Sequence, residues 1–370
     1  MTTSVAVVGG GAVGATAAYD LADRGADVTL FDRGDVGSGS TGRAAGICYD
    51  AFAEDVDARV ADRAVDRFRE FSGQGEFRFE ETPYVWLARE RDEPRERAIR
   101  EYVPRMQAND RDVELVDPAD LADEWPALRT GDVAVAAVAR DAGRVRPAAY
   151  AELLAEKAAA AGARVETGVE VGVTTDPTGV TVEGESRAFD AVLVAAGAHT
   201  KRLLADAGVP VALKPYRVQA LTTADGPDVP LTYDATGGFY LRPYGDGLLA
   251  GDGTEDVESD PDDWTRDADE WFVADVRDGL AHRIGHDADV TDAWAGLCTA
   301  TPDHDPLLGE LREGLYVAAG WQGHGFMRSP ALGEAAAEAV LGGEGIPAFD
   351  PTRFTGDEEF DIAEGMAIEE

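Results

Sequence analysis

GGGAVG at 9–14 and GWQGHGFMRSPALG at 320–333 each lead into an alanine-rich stretch with helical spacing. Glycines before a helix start leave backbone N–H groups free at the positive end of the helix dipole. The chemistry of such a place is anion binding. In the first cluster Gly9, Gly11 and Gly14 follow the spacing G-x-G-x-x-G, with Ala12 and Val13 between them. In the second, Gly320, Gly323 and Gly325 surround His324, and Met327 and Arg328 come just after.

The elements around the first cluster make its role specific. SVAVV at 4–8 is a β-branched run that reads as a buried strand, ATAAYDLADRG is helical with Gly25 as its stop, and ADVTLFDR at 26–33 is a second strand. A glycine turn between strand and helix is the context a dinucleotide fold requires. Gly9 permits the tight turn, Gly11 lets the backbone approach a pyrophosphate, and Gly14 lets helix and strand pack closely. Asp32 is placed to accept from a ribose hydroxyl, with Arg33 beside it. An acid there favours a free ribose 2′-OH over a phosphate and leaves NAD and FAD both open. GDVGSGSTGRAAGICYD at 34–50 is then Gly/Ser-rich where a nicotinamide-binding domain usually enters its next crossover. Its position is similar to the loop of flavoproteins that runs along FAD toward the ring, with Ser40, Thr41, Arg43, Ala44 and Gly46 as contacts. Arg43 is free to face flavin, substrate or a protein carboxylate.

Composition excludes several classes. Lys+Arg total 33 and Asp+Glu 72, a net charge of −39, and hydrophobic residues make up 44%. Such acidity repels nucleic acid and anionic membranes, while the apolar content argues for a folded chain. With Lys157, Lys201 and Lys214 as its only lysines, the chain resembles proteins adapted to strong salt, where charge repulsion is screened. Cys48 and Cys298 make no disulfide framework. No apolar run reaches membrane-spanning length, and MTTSVAVVGG lacks the marks of a signal peptide, so a soluble cytoplasmic protein is expected.

The middle of the chain supplies helices at 55–72, 92–109 and 117–128, strands around Pro83 in 77–88, and a helix opened by Pro147. A strand pair is expected over 163–183, and a helix carrying Trp264, Trp271 and Val276 further on. FDAVLVAAGAHTKRLLADAG at 189–208 runs from an apolar strand through Ala196 and Gly197 into a helix. It is similar to the second motif of FAD-dependent glutathione-reductase-type folds, in which Val169 matches the position that meets adenine. From 213 the residues alternate apolar and polar, as antiparallel strands with one solvated face do. The expected fold is mixed α/β. A two-dinucleotide-binding-type Rossmann-like FAD domain (1–76, 143–212 and 290–354) is interwoven with a mixed β-sheet substrate domain (77–142 and 213–289), followed by an acidic tail at 355–370. The tail reads either as solvated and disordered or as a docking segment.

The pattern W-x-G-x6-D-x2-P-x2-G in DAWAGLCTATPDHDPLLGEL, then a strand, then G-x-x-G-H-G-x-x-x-x-P-x-x-G, resembles the D-amino-acid oxidase family of flavoenzymes. The closest branch looks like glycine oxidase, sarcosine oxidase and archaeal proline dehydrogenase subunits. The resemblance runs to about Phe354. It implies FAD, and oxidation of a Cα–N bond by hydride transfer to flavin N5 with hydrolysis of the imine. It also implies that Gly323, Gly325 and the helix after Pro330 stabilise the reduced ring. His324 either fixes the turn or meets the flavin.

Departures from the family concern the substrate. Cys298 and Gly323 stand where glycine oxidases carry carboxylate-binding arginines, and Met327 where sarcosine oxidases carry a lysine. If the substrate is an amino acid, Arg43, Arg242 and Arg328 are left as candidate carboxylate anchors, with Tyr240 as a hydroxyl donor and with Arg328 expected to balance the acidic surface instead. Gly296 matches the flavin-linking cysteine, so FAD is expected to be non-covalent. Leu249 matches the oxygen-activating lysine, which tilts the choice of electron acceptor from oxygen toward another carrier. His282 and His286 are spaced as a surface pair or a metal pair, and no metal is expected. A 2-hydroxyacid dehydrogenase and an FAD-binding subunit of a larger complex remain as alternatives, and a homo-oligomer is open.

Overall fold

The computed structural model describes residues 2–363. A six-stranded sheet runs in the order Leu307–Arg312, Leu315–Ala319, Ala191–Val194, Ser4–Val8, Asp27–Asp32, Arg164–Thr167. All of its pairings are parallel except the first. Parallel strands need cover on both faces, which is why SVAVV carries no polar alternation. Val5, Val7, Val28 and Leu30 point into helices Ala12–Asp23, Asp55–Phe71, Pro147–Ala160 and Gly325–Val340. Ala6, Val8 and Phe31 point the other way, against Val171, Val173 and Val180 of a three-stranded antiparallel sheet.

The second large sheet has eight strands, in the order Val290–Ala300, Lys214–Thr223, Gly247–Glu258, Phe239–Tyr244, Leu231–Asp234, Tyr84–Arg89, Val133–Ala139, Val113–Val116. It is antiparallel apart from the parallel pair Leu231–Asp234 and Tyr84–Arg89. One face carries Tyr84, Trp86, Tyr233, Tyr240 and Leu249, packed toward Ile47, Cys48, Tyr49 and Met327. The other carries Val85, Leu87, Leu241 and Leu248, packed on helix Glu270–Ile284. That helix is fastened by a buried ionic network. The Asp234 carboxylate accepts from Arg89 at 2.8 Å and from Arg283 at 2.9 Å, and both Asp234 and Arg283 are fully buried.

Several local expectations are corrected. The 34–50 stretch is not all loop: it holds a short helix at Ser40–Arg43 and a strand at Ile47–Tyr49 that pairs with Ala142–Arg144. The 163–183 stretch is not one pair, because Arg164–Thr167 joins the parallel sheet while Val171–Thr175 and Thr178–Val182 form the hairpin. Trp264 lies before the helix Glu270–Ile284 rather than within it. The last helix begins at Gly325, not after Pro330. Pro330 has no N–H for the Phe326 carbonyl, and the Ser329 hydroxyl takes that carbonyl instead at 2.7 Å. The Pro330 carbonyl accepts from Arg67 at 2.8 Å, and Arg67 also grips buried Asp20 with two bonds of 2.7 and 2.8 Å.

His286 is outside a helix that ends at Ile284 with Gly285 left-handed. His282 pairs with Asp132 and His286 with Asp225. Among the described residues no group of three or more His, Cys, Asp or Glu is set to hold a metal. No helix among them is long and apolar enough to cross a membrane. The tail expectation splits: residues up to 363 fold back onto the body, and 364–370 lie outside the described residues.

Candidate active site

Four parallel strands end on one edge of the first sheet, and the loops after them are Gly9–Gly11, Arg33–Gly34, Ala195–Gly197 and Gly320–Gly323. The carboxyl ends of parallel strands are where such folds bind ligands. The two glycine clusters, far apart in the chain, therefore emerge at the same edge, on either side of strand Ala191–Val194. Helices Ala12–Asp23 and Gly325–Val340 pack on each other so closely that a Cβ on Gly333 would lie 2.5 Å from Thr16 Cβ.

The first cluster has no room for a side chain at Gly9 or Gly14. A Cβ on Gly14 would lie 1.9 Å from the Gly9 carbonyl oxygen, and one on Gly9 2.4 Å from that of Ala195. Gly9 has φ +109°, which glycine alone adopts freely. Asp32 holds the turn: its carboxylate accepts from the amides of Gly10 and Gly34, each at 2.7 Å. The Val169 amide donates to the Asp32 carbonyl at 2.9 Å, so Val169 stands beside Asp32 at the end of the second strand. Thr41 caps the first helix by accepting from the Ala12 amide at 3.0 Å, with Val13 following buried. Arg33 is exposed and pairs with Asp262.

The loop after the second strand lies on strand Val290–Ala300. Ser40 donates to the Leu297 carbonyl at 2.7 Å and Arg43 to that of Ala295 at 3.0 Å, while Trp294 donates to the Arg43 carbonyl at 3.1 Å. Arg43 has no carboxylate partner among the described residues; its guanidinium lies 5.7 Å from the Trp264 ring. Ala44 leads to Gly46, whose φ is +68° and whose Cβ would meet the Val145 carbonyl at 2.3 Å.

Arg242 is the other isolated cation. It is 3% exposed and donates to the backbone carbonyls of Ala45 and Pro243. It has no carboxylate partner among the described residues. Burial, and then the like charge of Arg144, pushes its guanidinium down to about 10. Tyr240, two residues back on the same strand, shares its face of the sheet. Arg328 pairs with a protein acid, Asp57, but from a buried position, 3% exposed, rather than on the surface.

At the second cluster, Gly320 and Gly323 are left-handed, with φ +82° and +78°, and Gly325 opens the last helix. His324 caps that helix by position, buried, with its Nε2 3.2 Å from the Tyr49 hydroxyl. Burial, and then Arg328, pushes its imidazole down to about 3, so it is neutral at ordinary pH. Met327 is buried in the aromatic cluster. A cavity of about 250 Å³ opens beside His324, walled by Tyr49, Phe52, Trp86, Tyr102 and Met106. Sequence reasoning missed these aromatic walls. Tyr49 and Phe52 stand in ICYDAF, where their spacing carries no periodic signal, and only the fold brings Trp86 to them at 5.4 Å from the Tyr49 ring.

These features suit a dinucleotide: a tight glycine cradle, a carboxylate at the end of the second strand and two helix N-termini aimed at one edge. Comparisons with known proteins agree. The profile of the family described as DAO, FAD dependent oxidoreductase, matches residues 4–339. Glycine oxidase of Geobacillus kaustophilus (strain HTA426) is 28% identical over 91% of this chain and 92% of its own length. The structure of L-proline dehydrogenase from P. horikoshii superposes with a TM-score of 0.87 at 27% identity, covering 95% of this chain and 98% of that one. That of glycine oxidase from Geobacillus kaustophilus does so with 0.84 at 25% identity, over 95% and 100%. The chain belongs to the DAO family of FAD-dependent oxidoreductases.

Proposed function

We propose that the protein oxidises the Cα–N bond of an amino acid or secondary amine, with Arg242 binding the substrate carboxylate and Tyr240 assisting. The observation that carries this reading is the buried guanidinium of Arg242, which has three N–H groups left after its two backbone bonds. A buried cation without a counter-charge is costly, and a carboxylate ligand would supply one. Relatives named glycine oxidase and L-proline dehydrogenase support the substrate class.

FAD, when bound, supplies the two-electron acceptor. The chain's own residues bind and orient. In this reading 1–76, 143–212 and 290–354 hold FAD without a covalent bond, with Gly9–Gly14 at the pyrophosphate and Asp32 at the ribose. Ser40, Thr41, Arg43, Ala44 and Gly46 run along it, Val169, Ala196 and Gly197 flank the adenosine half, and Gly320–Gly325 with Met327 meet the ring. Residues 77–142 and 213–289 cover the site, and the aromatic cavity beside His324 excludes water from the reacting carbon. No side chain is assigned as a proton acceptor, since neutral His324 is buried and hydrogen-bonded.

The test is anaerobic bleaching of the purified flavoprotein by a panel of glycine, sarcosine, proline, D-amino acids and 2-hydroxyacids. Bleaching by an amine or amino acid is expected. Bleaching by a hydroxyacid alone would move the reading to a 2-hydroxyacid dehydrogenase, and bound flavin that nothing reduces would leave an electron-transfer or structural subunit. The rate of colour return in air, against that with an artificial carrier, decides between oxygen and another acceptor.

A further inference from the structure

The C-terminal segment reverses at a locked turn and returns to the second glycine cluster. Glu358 accepts from the Thr355 hydroxyl and amide and from the Gly356 amide, at 2.7–2.9 Å. Gly356 has φ +97°, and a Cβ there would lie 2.6 Å from the Pro210 backbone, so the turn is pressed against the body. Lys214 then donates to the Phe360 carbonyl at 2.6 Å and sits 4.6 Å from the Phe360 ring. Ile362 is buried, packed with Tyr216 and Ala300 beside Val218 and Cys298. Tyr216 and Cys298 are cross-strand partners, as are Val218 and Gly296, so they share one face of the sheet. That is the face Arg43 approaches, where a Cβ on Gly296 would be 3.4 Å from Arg43 Cβ.

The segment ends on Gln322. The side-chain amide of Gln322 donates to the Ala363 carbonyl, and its oxygen accepts from the Thr301 amide at 3.2 Å. Its own backbone amide donates to Thr299 O at 2.9 Å. Gln322 is 2% exposed and has φ +49°, the left-handed region that residues with a side chain seldom occupy. Such a conformation persists where the surroundings over-determine it. Here it sets the direction of the chain into Gly323 and His324.

We propose that residues 358–363 are a strap that holds Gln322 in its left-handed conformation, making Gln322 the positioning residue for the glycine turn at the flavin-ring end of the cofactor site. The inference rests on the assignment of Gly320–Gly325 to the flavin ring. Two physical contributions act together. Burial of Phe360 and Ile362 anchors the strap, and the Ala363 carbonyl fixes the Gln322 side chain, whose other end is already tied to Thr301.

The test measures the FAD dissociation constant and the visible spectrum of the bound flavin, neither of which needs a substrate. Thermal melts are recorded alongside. Truncation after Asp357 is expected to weaken FAD binding about tenfold and to shift the flavin spectrum, whereas truncation after Ala363 leaves both unchanged. Adding Gln322→Gly to the shorter chain is expected to recover most of the loss, because glycine adopts the left-handed conformation without the tie. A role in bulk stability alone would give no such rescue. If the truncated chain fails to fold, Ile362→Ala in the full chain gives the same readout at smaller amplitude. Unchanged FAD affinity and spectrum on truncation, a loss caused by removing only 364–370, or no rescue by Gln322→Gly would each overturn the strap. Gly323→Ala in the full chain separates the two layers. Weakened FAD with Gly323→Ala but not with truncation refutes the strap alone, and no effect of either refutes the flavin-ring assignment as well.

Discussion

Replacing Arg242 by methionine keeps the length and most of the apolar stem and removes the charge. The guanidinium can offer a substrate carboxylate two parallel charge-assisted bonds, each contributing about 1.5–3 kcal/mol. Losing both, offset by the lower desolvation cost of the variant, predicts a loss of about 3–4 kcal/mol in substrate binding. That is roughly two to three orders of magnitude in the concentration that half-bleaches the flavin. Stability should move the other way or stay level. Burial lowers the Arg242 pKa well below the ordinary guanidinium value, to about 10, so the charged form opposes folding by about 3 kcal/mol. The sign follows from proton binding. Below pH 10 both folded and unfolded chains carry the proton and the penalty is full; it fades as pH rises above 10 toward the ordinary guanidinium range. At neutral pH the variant regains that amount and loses two hydrogen bonds to backbone carbonyls, so its melting temperature should lie within a few degrees of wild type. The assay is anaerobic titration with a carboxylated substrate and with a matched amine lacking the carboxylate. An unchanged half-bleaching concentration for the acid, or an equal loss for both compounds, would falsify the anchor.

Gly14→Ala should yield colourless protein, since its methyl would lie 1.9 Å from the Gly9 carbonyl oxygen. Gly11→Ala, whose methyl meets only Thr41 Oγ1 at 3.2 Å within the protein, should melt near wild type without FAD yet bind FAD more weakly; an apo melting temperature lowered as far as that of Gly14→Ala contradicts the packing argument. His324 has a folded pKa of about 3 against 6.5 unfolded, so the unfolded chain takes up the proton first as pH falls. Wild type should therefore lose up to about 5 kcal/mol more stability than His324→Asn between pH 6.5 and 3, read from denaturant melts at stepped pH. Arg67→Met should cost about 3–5 kcal/mol in urea unfolding because Asp20 is left buried without its partner. Adding Asp20→Leu should restore most of that, and no recovery would mean the loss comes from the Pro330 carbonyl.

What the sequence disclosed was whatever a local rule controls. Gly9, Gly11 and Gly14 are legible because a strand, a tight turn and a helix each impose their own residue types within a few positions. Pro147 marks a helix start because it lacks an N–H that no partner needs there. The setting of Arg242 is not local: it donates to the carbonyl of Ala45, 197 positions away in the chain. Arg328 likewise meets Asp57 across 271 positions, so its charge could not be assigned to surface or interior beforehand. Ile47–Tyr49 is a strand only because Ala142–Arg144 lies alongside. The start of the last helix was misplaced for a similar reason, since Pro330 is tolerated through Ser329 and Arg67 rather than through anything in its own spacing.

The order of strands in the parallel sheet has a consequence during synthesis. Ser4–Val8 is made long before its neighbour Ala191–Val194 and the next strand, Leu315–Ala319. At ribosomal speeds of roughly 5–20 residues per second, the first strand waits on the order of tens of seconds for the edge it will share. Helix Ala12–Asp23 and strand Asp27–Asp32 can cover one side and one edge of it early, but the other edge and the loops Ala195–Gly197 and Gly320–Gly323 of the cofactor edge come only late, so FAD cannot template the early fold. The cofactor instead captures a nearly finished chain and draws the last equilibrium toward the native state in proportion to its free concentration. Cells short of the vitamin precursor of FAD would accordingly lose this protein at the final stage of maturation, with the whole polypeptide already made.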